Sequence, residues 1–258
     1  RSHWYPQDKT NKTYVGQWFA DWTDDFSTEL KVSKRDYLSL PIPVSNLPLV
    51  TLSWTNGATR SLILGTERSR HFNRLQTKTV DAYFAGNLFL GDHELKFGAD
   101  LAKNDIYNAF LQDTRGNYTF SGSGAPGTAT DPVTLFLNGT PTRYQVQLPL
   151  AGRALTDAVA NWTLNSQGLF LQDTWKVSKK LSVNGGIRID RLSTSDRPTY
   201  NAAFAAPLVE GVVATNTRQS GGFGLTNTTT IDGEKLVQPR VGFNYHFDAI
   251  DKRKSQLR

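Results

Sequence analysis

Apolar and polar residues alternate with a period of two along paired segments of this chain, and this feature constrains its fold more than any other. In residues 91–105, "GDHELKFGADLAKND", Leu95 and Phe97 fall on one parity while Glu94 and Lys96 fall on the other. Successive side chains of a β-strand point to opposite faces of the sheet. The pattern therefore predicts strands with one apolar face and one charged face.

Short polar turns and long connections alternate between these strands. The short turns are predicted at Asp24-Asp25, at Gly91-Asp92, at Ser178-Lys179 and at a bend over residues 248–253. The long connections cover about 38–72, 112–162 and 192–235, and they are rich in Pro, Gly, Ser, Thr and Asn. Compact soluble domains typically use connections of about 2–6 residues. Short periplasmic turns and long extracellular loops are typical of outer-membrane barrels.

The fold class that this predicts is all-β, an antiparallel up-and-down transmembrane β-barrel segment of about eight strands. Only 38% of the residues are hydrophobic, and the mean hydropathy is -0.44. No apolar run approaches the roughly 20 residues that a transmembrane helix needs. A barrel requires no core beneath its sheet, because its apolar parity faces lipid and its polar parity faces the lumen.

The parity assigns individual residues to the two faces. The lipid-facing candidates are Leu95, Phe97, Leu101, Leu181, Val183, Ile187, Ile189, Val241 and Phe243. The lumen-facing candidates are Glu29, Lys31, Arg35, Asp81, Glu94, Lys96, Asp100, Arg188, Asp190 and Arg240. Aromatic residues close to the short turns predict an interfacial girdle on the periplasmic side, formed by Trp18, Trp22, Trp175, Tyr245 and Phe247.

The sequence offers little for an enzyme. The four histidines are scattered, there is no cysteine, and neither an HExxH nor a G-x-S-x-G motif occurs. We therefore expect no catalytic site, no metal site and no cofactor. The net charge of +6 does not indicate a nucleic-acid partner, because the Lys and Arg residues alternate with Asp and Glu instead of forming a stripe.

Four segments resemble the barrel of TonB-dependent outer-membrane receptors, in particular the Oar-like group. They are "YVGQWFADWTDDFSTELKVSKRDY", "GDHELKFGADLAKNDIYNAFLQDTRGNYTF", "GLFLQDTWKVSKKLSVNGGIRIDR" and "LVQPRVGFNYHFD". The Gln-Asp-x-Trp strand with its tight turn and glycine-containing return strand is the most characteristic of them. The resemblance implies a barrel of about 22 strands with an N-terminal plug, driven by the inner-membrane TonB complex.

That resemblance also sets the expected partners and domain organisation. The partners would be outer-membrane lipid, the remaining strands and plug of the same receptor, the TonB complex acting through the plug, and an unknown cargo such as a siderophore, peptide or glycan. The chain lacks an initiator Met, contains no segment like a plug, and ends on "KRKSQLR". We therefore expect residues 1–258 to be part of a barrel domain, without the plug and the C-terminal strands.

Three functions remain open from the sequence. The first is an energised importer of a Gram-negative bacterium, and the second is a passive outer-membrane porin. The third is a β-rich adhesive or binding protein that does not transport. For the connection over 112–162, a role in meeting cargo and a mobile surface loop without a binding role are equally compatible with its composition.

Overall fold

The computed structural model describes residues 2–209, 220–247 and 255–257. Its strands are β1 (Gln7–Thr23), β2 (Phe26–Pro41), β3 (Leu49–Trp54), β4 (Arg60–Leu64), β5 (Phe72–Leu90), β6 (His93–Leu111), β7 (Asn117–Gly122), β8 (Arg143–Gln145), β9 (Ala160–Lys176), β10 (Leu181–Ser193), β11 (Leu208–Val209), β12 (Ser220–Gly221), β13 (Lys235–His246) and β14 (Gln256–Leu257). Two short α-helices are α1 (Pro132–Leu137) and α2 (Ala202–Ala205), and 3-10 turns cover Arg68–Arg70 and Leu155–Ala158. Among the described residues, no helix is both long enough and apolar enough to cross a bilayer.

Eight of these strands form one sheet in the order β1-β2-β5-β6-β9-β10-β13-β14. The sheet is open within the described residues, with β1 and β14 at its edges. β5 and β6 each contain 19 residues and β9 contains 17, whereas β14 contains only two. The mostly antiparallel sheet and the count of about eight strands agree with the sequence-based prediction.

The predicted short turns are present and lie along one end of this sheet. Asp24-Asp25 joins β1 to β2, and Gly91-Asp92 joins β5 to β6, with Gly91 in the left-handed region at φ 60°. Residues 177–180 join β9 to β10. Each turn contacts the next hairpin through a backbone hydrogen bond of 2.8 Å: Phe89 to Asp25, Lys176 to Asp92 and His246 to Lys180. The predicted bend over 248–253 lies outside the described residues.

The chain forms two compact units. The first comprises Arg1–Thr13, Arg35–Lys78 and Asp105–Asn161, and the second comprises Tyr14–Lys34, Thr79–Asn104 and Trp162–Arg258. The second unit contains the short turns and most of β9, β10 and β13, which carry the candidate site. The first unit contains the outlying parts of β1, β2, β5 and β6 and the first two residues of β9, together with a smaller sheet.

The smaller sheet is formed from the first two long connections, which the sequence predicted only as loops. Its order is β4-β3-β7-β8, and β3 pairs with β7 in parallel. Leu52 lies opposite Phe120, and both side chains are buried on the face where the ring of Phe120 meets that of Phe136 of α1 edge to face at 5.4 Å. The prediction that these two connections are loops is therefore wrong for the parts of them that form this sheet. Short strands rich in β-branched and aromatic residues pair here across a long separation, which a local pattern does not reveal.

A buried polar network also holds the first unit together. The Asp113 carboxylate accepts hydrogen bonds from Arg68 Nε and from Asn117 Nδ2, both at 3.1 Å, and Asp113 is only 4% exposed. The backbone N–H of Arg115 donates to Nδ1 of buried His71, whose Nε2 lies 3.2 Å from the carbonyl oxygen of Thr66. Burial lowers the pKa of His71 below its ordinary value, so the neutral imidazole fits this site.

Candidate functional site on the charged face of the sheet

The pairing of β9, β10 and β13 separates two kinds of side chain onto two faces. Ile187 lies opposite Leu171 of β9 and Pro239 of β13, and Ile189 lies opposite Leu169 and Val237. Residues directly opposite each other in an antiparallel pair point to the same side. We call this side the apolar face. The intervening residues, including Arg188 and Asp190 of β10 with Gln238 of β13, form the charged face.

A hydrogen-bonded network of charges crosses four strands on the charged face. Arg188 Nη1 donates to Asp100 Oδ2 at 2.6 Å, and Nη2 donates to Asp100 Oδ1 at 2.9 Å. Arg188 Nε donates to Asp190 Oδ2 at 2.9 Å, and Gln238 Nε2 donates to the same oxygen at 2.6 Å. The guanidinium is thus shared by two carboxylates, and its planar fork matches the bidentate contact with Asp100.

Gly168 makes this network possible. Arg188 lies on β10 and Asp100 lies on β6, and β9 separates these two strands in the sheet. A Cβ atom added to Gly168 of β9 would lie 2.8 Å from Asp100 Oδ2, 2.9 Å from Arg188 Cζ, and closer still to Arg188 Nη2. The Arg188 side chain therefore reaches Asp100 by passing over a residue that has no side chain.

An aromatic contact crosses a strand in the same way. Phe170 of β9 stacks on Tyr83 of β5, with ring centroids 6.0 Å apart and planes 15° apart. Gly98 of β6 lies between them, and a Cβ added to it would lie 2.5 Å from Phe170 Cζ. The stack and the charge network together couple strands β5, β6, β9, β10 and β13 on one face.

An open hollow of about 410 Å³ adjoins Tyr83 on the second unit, lined also by Glu29, Lys31, Ser33 and Asp81. Ser33 Oγ donates to Asp81 Oδ2 at 3.0 Å. These hydroxyl, ammonium and carboxylate groups offer both donors and acceptors to a polar solute.

The structure brings together some of the lumen-facing candidates and not others. Asp100, Arg188 and Asp190 share one network, while Glu29, Lys31 and Asp81 surround the hollow. No described contact joins Glu94, Lys96 or Arg240 to either group, and Arg35 belongs to the first unit. Within the described ranges, no group of three or more His, Asp or Glu residues is arranged to hold a metal ion.

The lipid-facing candidates on β10 and β13 share the apolar face by register, and many of them are exposed. Val241 is 86% exposed and Ile187 is 44% exposed. Phe97 of β6 packs over Gly86 of β5, since a Cβ added to Gly86 would lie 2.5 Å from Phe97 Cζ. That this face meets lipid, and that the charged face lines a lumen, stay predictions.

The predicted girdle residues form three separate aromatic contacts. Trp18 and Trp22 meet edge to face at 5.8 Å, and Trp22 Nε1 donates to Thr28 Oγ1 at 2.8 Å. Tyr245 and Phe247 meet edge to face at 5.0 Å. Their membrane depth stays a prediction.

The third contact involves two residues that the sequence analysis missed. His93 stacks on Trp175 at 5.5 Å, and its Nδ1 lies 2.7 Å from Asp173 Oδ2. Asp173 lies opposite Gly185 on the apolar face. An acidic residue on the apolar parity, between Leu171 and Trp175, was a signal that could have identified this contact.

Comparisons with known proteins add a family match to this geometry. The model of a family described as "Outer membrane beta barrel domain" matches residues 22–255. No curated protein matches the chain. Among solved structures, the chain is similar to one titled "Copper transporter OprC", with 14% sequence identity and a TM-score of 0.42. That match covers 96% of this chain and 29% of the OprC chain, so this chain spans less than a third of its length.

Proposed function

Because the chain belongs to the outer membrane β-barrel family, we propose that it is part of a transporter that moves cargo across the outer membrane. The family localises the chain to that membrane. In the proposed arrangement, the apolar face meets lipid and the charged face lines the path of the cargo. The Arg188 network would then hold neighbouring strands together on the lumen side, where charged groups remain in contact with water.

We further propose that the transporter is a TonB-dependent receptor of the Oar-like group in a Gram-negative bacterium. Support comes from the four segments quoted above, including the "FLQDTWKVSKKLSVNGGIR" hairpin, which corresponds to β9 and β10. Residues 1–258 would form part of a barrel of about 22 strands. A plug belonging to the same receptor would gate the lumen and contact the TonB complex.

The observation that carries the transport proposal is the ordered small sheet formed by the first two long connections. Leu52 is 3% exposed and Phe120 is 4% exposed, so these connections have a packed core of their own. Binding residues are often located on loops that a rigid scaffold positions. A loop that is already ordered loses less conformational entropy on binding. We propose that this sheet belongs to the extracellular surface that captures a siderophore, peptide or glycan.

Two measurements on the full-length protein test the energised transporter against the passive porin. The first is binding to the purified periplasmic domain of TonB, and the second is single-channel conductance in a planar bilayer. We expect TonB binding and a closed lumen. Open conductance without TonB binding would assign the protein to the porins. Neither activity would favour the adhesive or binding protein that does not transport.

The structure also guides the choice of a loop variant. Ser121 pairs with Ser53 between β7 and β3, and the Asp131 side chain accepts the N-terminal hydrogen bond of α1 from Val133. Deleting 121–131 would therefore unfold the small sheet as well as shorten the loop. The double substitution Leu148→Ser and Leu150→Ser avoids this problem, because both side chains are more than 70% exposed.

Uptake by cells carrying this double variant tests the cargo role. A siderophore, a peptide mixture or a glycan is supplied in turn as the limiting nutrient, and growth is compared with that of cells carrying the parent protein. Barrel assembly is measured separately by the heat-dependent shift in gel mobility. Normal assembly with reduced growth on one nutrient supports capture by this surface, and unchanged growth on all three contradicts it.

A further inference from the structure

The apolar face changes character along one row of residues across three strands. Arg191 of β10 lies opposite Gln167 of β9 and Lys235 of β13. The next row towards the short turns is entirely apolar and consists of Leu169, Ile189 and Val237. Two cations and an amide therefore border the apolar surface at the end away from the short turns. We call Gln167, Arg191 and Lys235 the cationic row.

The two cations of this row lie side by side on the same face. Like charges directly opposite each other on neighbouring strands are destabilising. Among the residues that the structure describes, no carboxylate forms an ion pair with Arg191 or Lys235, and both residues are exposed. Asp190 and Gln238, their close neighbours in sequence and register, point to the charged face, where they bond each other. An anion from outside this unit would relieve the repulsion.

The position of the row along the strand indicates where that anion would come from. Leu181 begins β10 near the short turn, and Arg191 follows ten residues later. At about 3.3 Å per residue and a tilt of about 40°, this separation corresponds to roughly 25 Å of height, the thickness of the apolar band of an outer-membrane barrel. Aromatic residues Trp175 and Tyr245 border the other end of this band. The cationic row therefore lies at the depth where lipid headgroups begin.

We propose that Arg191 and Lys235, assisted by the Gln167 amide, bind the phosphate group of a lipid headgroup in the leaflet opposite the short turns. The guanidinium can donate two parallel hydrogen bonds to a phosphate, and the ammonium adds a second positive charge. The apolar row of Leu169, Ile189 and Val237 would contact the acyl chains of the same lipid. The site depends on the outer-membrane location of the chain and is independent of the cargo and of TonB.

Binding of lipid A to the full-length protein tests this site. The protein is held in phosphatidylcholine nanodiscs, and the bound fraction of phosphorylated lipid A is measured by native mass spectrometry. Each Lys or Arg near a membrane surface adds to the affinity for anionic lipid. We therefore expect the double variant Arg191→Gln/Lys235→Gln, which lacks two such cations, to bind lipid A about thirtyfold more weakly than the parent protein. Arg240→Gln is the control for Lys235→Gln, because each removes one positive charge from β13 and Arg240 lies on the charged face. Its lipid binding should equal that of the parent protein.

Further arms distinguish the headgroup from other sources of binding. Dephosphorylated lipid A should bind as weakly to the parent protein as phosphorylated lipid A binds to the double variant. Arg191→Lys keeps the charge but loses the bidentate contact, so its binding should fall between that of the parent protein and that of the double variant. The gel-mobility shift shows whether each variant is folded. Three results would overturn the proposal: undiminished binding in the folded double variant, an equal loss in Arg240→Gln, or full displacement of lipid A by equimolar inorganic phosphate. If the double variant does not fold, the deciding result is the binding of phosphorylated against dephosphorylated lipid A to the parent protein.

Discussion

Replacing Gly168 with Ala should break the contact between Arg188 and Asp100. The added Cβ would lie within 3 Å of the ends of both side chains, so at least one of them would have to move out of its present contact. Two charge-assisted hydrogen bonds, of 2.6 and 2.9 Å, would be lost. Arg188 would keep Asp190, which lies two residues away on its own strand. The perturbation is therefore confined to the link between β6 and β10.

The size of the effect follows from how exposed the pair is. A hydrogen bond to a charged group contributes about 1.5–3 kcal/mol when it is shielded from water. The side chains of Arg188 and Asp100 are 36% and 33% exposed, so water replaces part of each lost bond. Fully exposed ion pairs contribute about 0–1 kcal/mol. We therefore expect Gly168→Ala to lower the free energy of unfolding by about 1–2 kcal/mol relative to a substitution without the clash.

Gly185→Ala supplies that reference. Gly185 lies on β10, and a Cβ added to it would meet no atom within 4 Å. Both substitutions reduce the conformational freedom of the unfolded chain equally, a gain of about 0.4–1 kcal/mol. The difference between the two variants therefore includes the clash at Gly168, and a second comparison without the guanidinium isolates it.

The assay is reversible urea unfolding of the full-length protein in lipid vesicles, followed by tryptophan fluorescence. The two substitutions are made in the parent protein and again in an Arg188→Gln background. Without the guanidinium, Gly168→Ala should behave like Gly185→Ala, because little remains for the new Cβ to displace. The reasoning is refuted if Gly168→Ala is as mild as Gly185→Ala in the parent protein, or if its cost is unchanged in the Arg188→Gln background.

Two further predictions concern the faces of the sheet and the first unit. Ile187→Arg should hinder folding into vesicles by about 2–4 kcal/mol. Gln172→Arg should be tolerated, because Gln172 lies opposite Gly186, the neighbour of Ile187, and therefore on the charged face. Equal damage from both substitutions would contradict the assignment of the faces. Acidification should loosen the first unit, because burial lowers the pKa of His71: the stabilisation from the neutral imidazole is complete above the ordinary pKa of about 6.5 and is lost as the pH falls through the lowered pKa. Hydrogen exchange of the Arg115 amide, corrected for its intrinsic rate, should therefore accelerate at low pH in the parent protein, and the pH dependence should flatten in His71→Gln.

Local patterns in the sequence were enough to predict the hairpins. The alternation in residues 91–105 depends only on the two-residue period of a strand, and the turn at Gly91-Asp92 depends on a residue that tolerates a positive φ. The same parity separates Ile187 from Arg188. These features need no knowledge of which strands become neighbours.

Contacts between distant segments could not be predicted in this way. Asp100 and Arg188 are 88 residues apart, and parity alone assigns both to the same face without indicating that they form an ion pair. His93 and Asp173 are 80 residues apart. The parallel pairing of β3 with β7 also joins two different connections. A single sequence gives no register between such segments, so the small sheet could only be predicted as loops.

Glycines at two crossing points explain how the charged face couples strands that are not neighbours. A glycine inside a strand costs about 0.5–1 kcal/mol relative to alanine, because the unfolded chain is freer. At Gly98 and Gly168, that cost is accompanied by a contact that a larger residue would block: the stack of Phe170 on Tyr83, and the ion pair of Arg188 with Asp100. Each contact spans three strands, so sliding one strand past its neighbour would break both backbone pairing and a side-chain bridge. The two glycines therefore help to fix the register of β6 and β9.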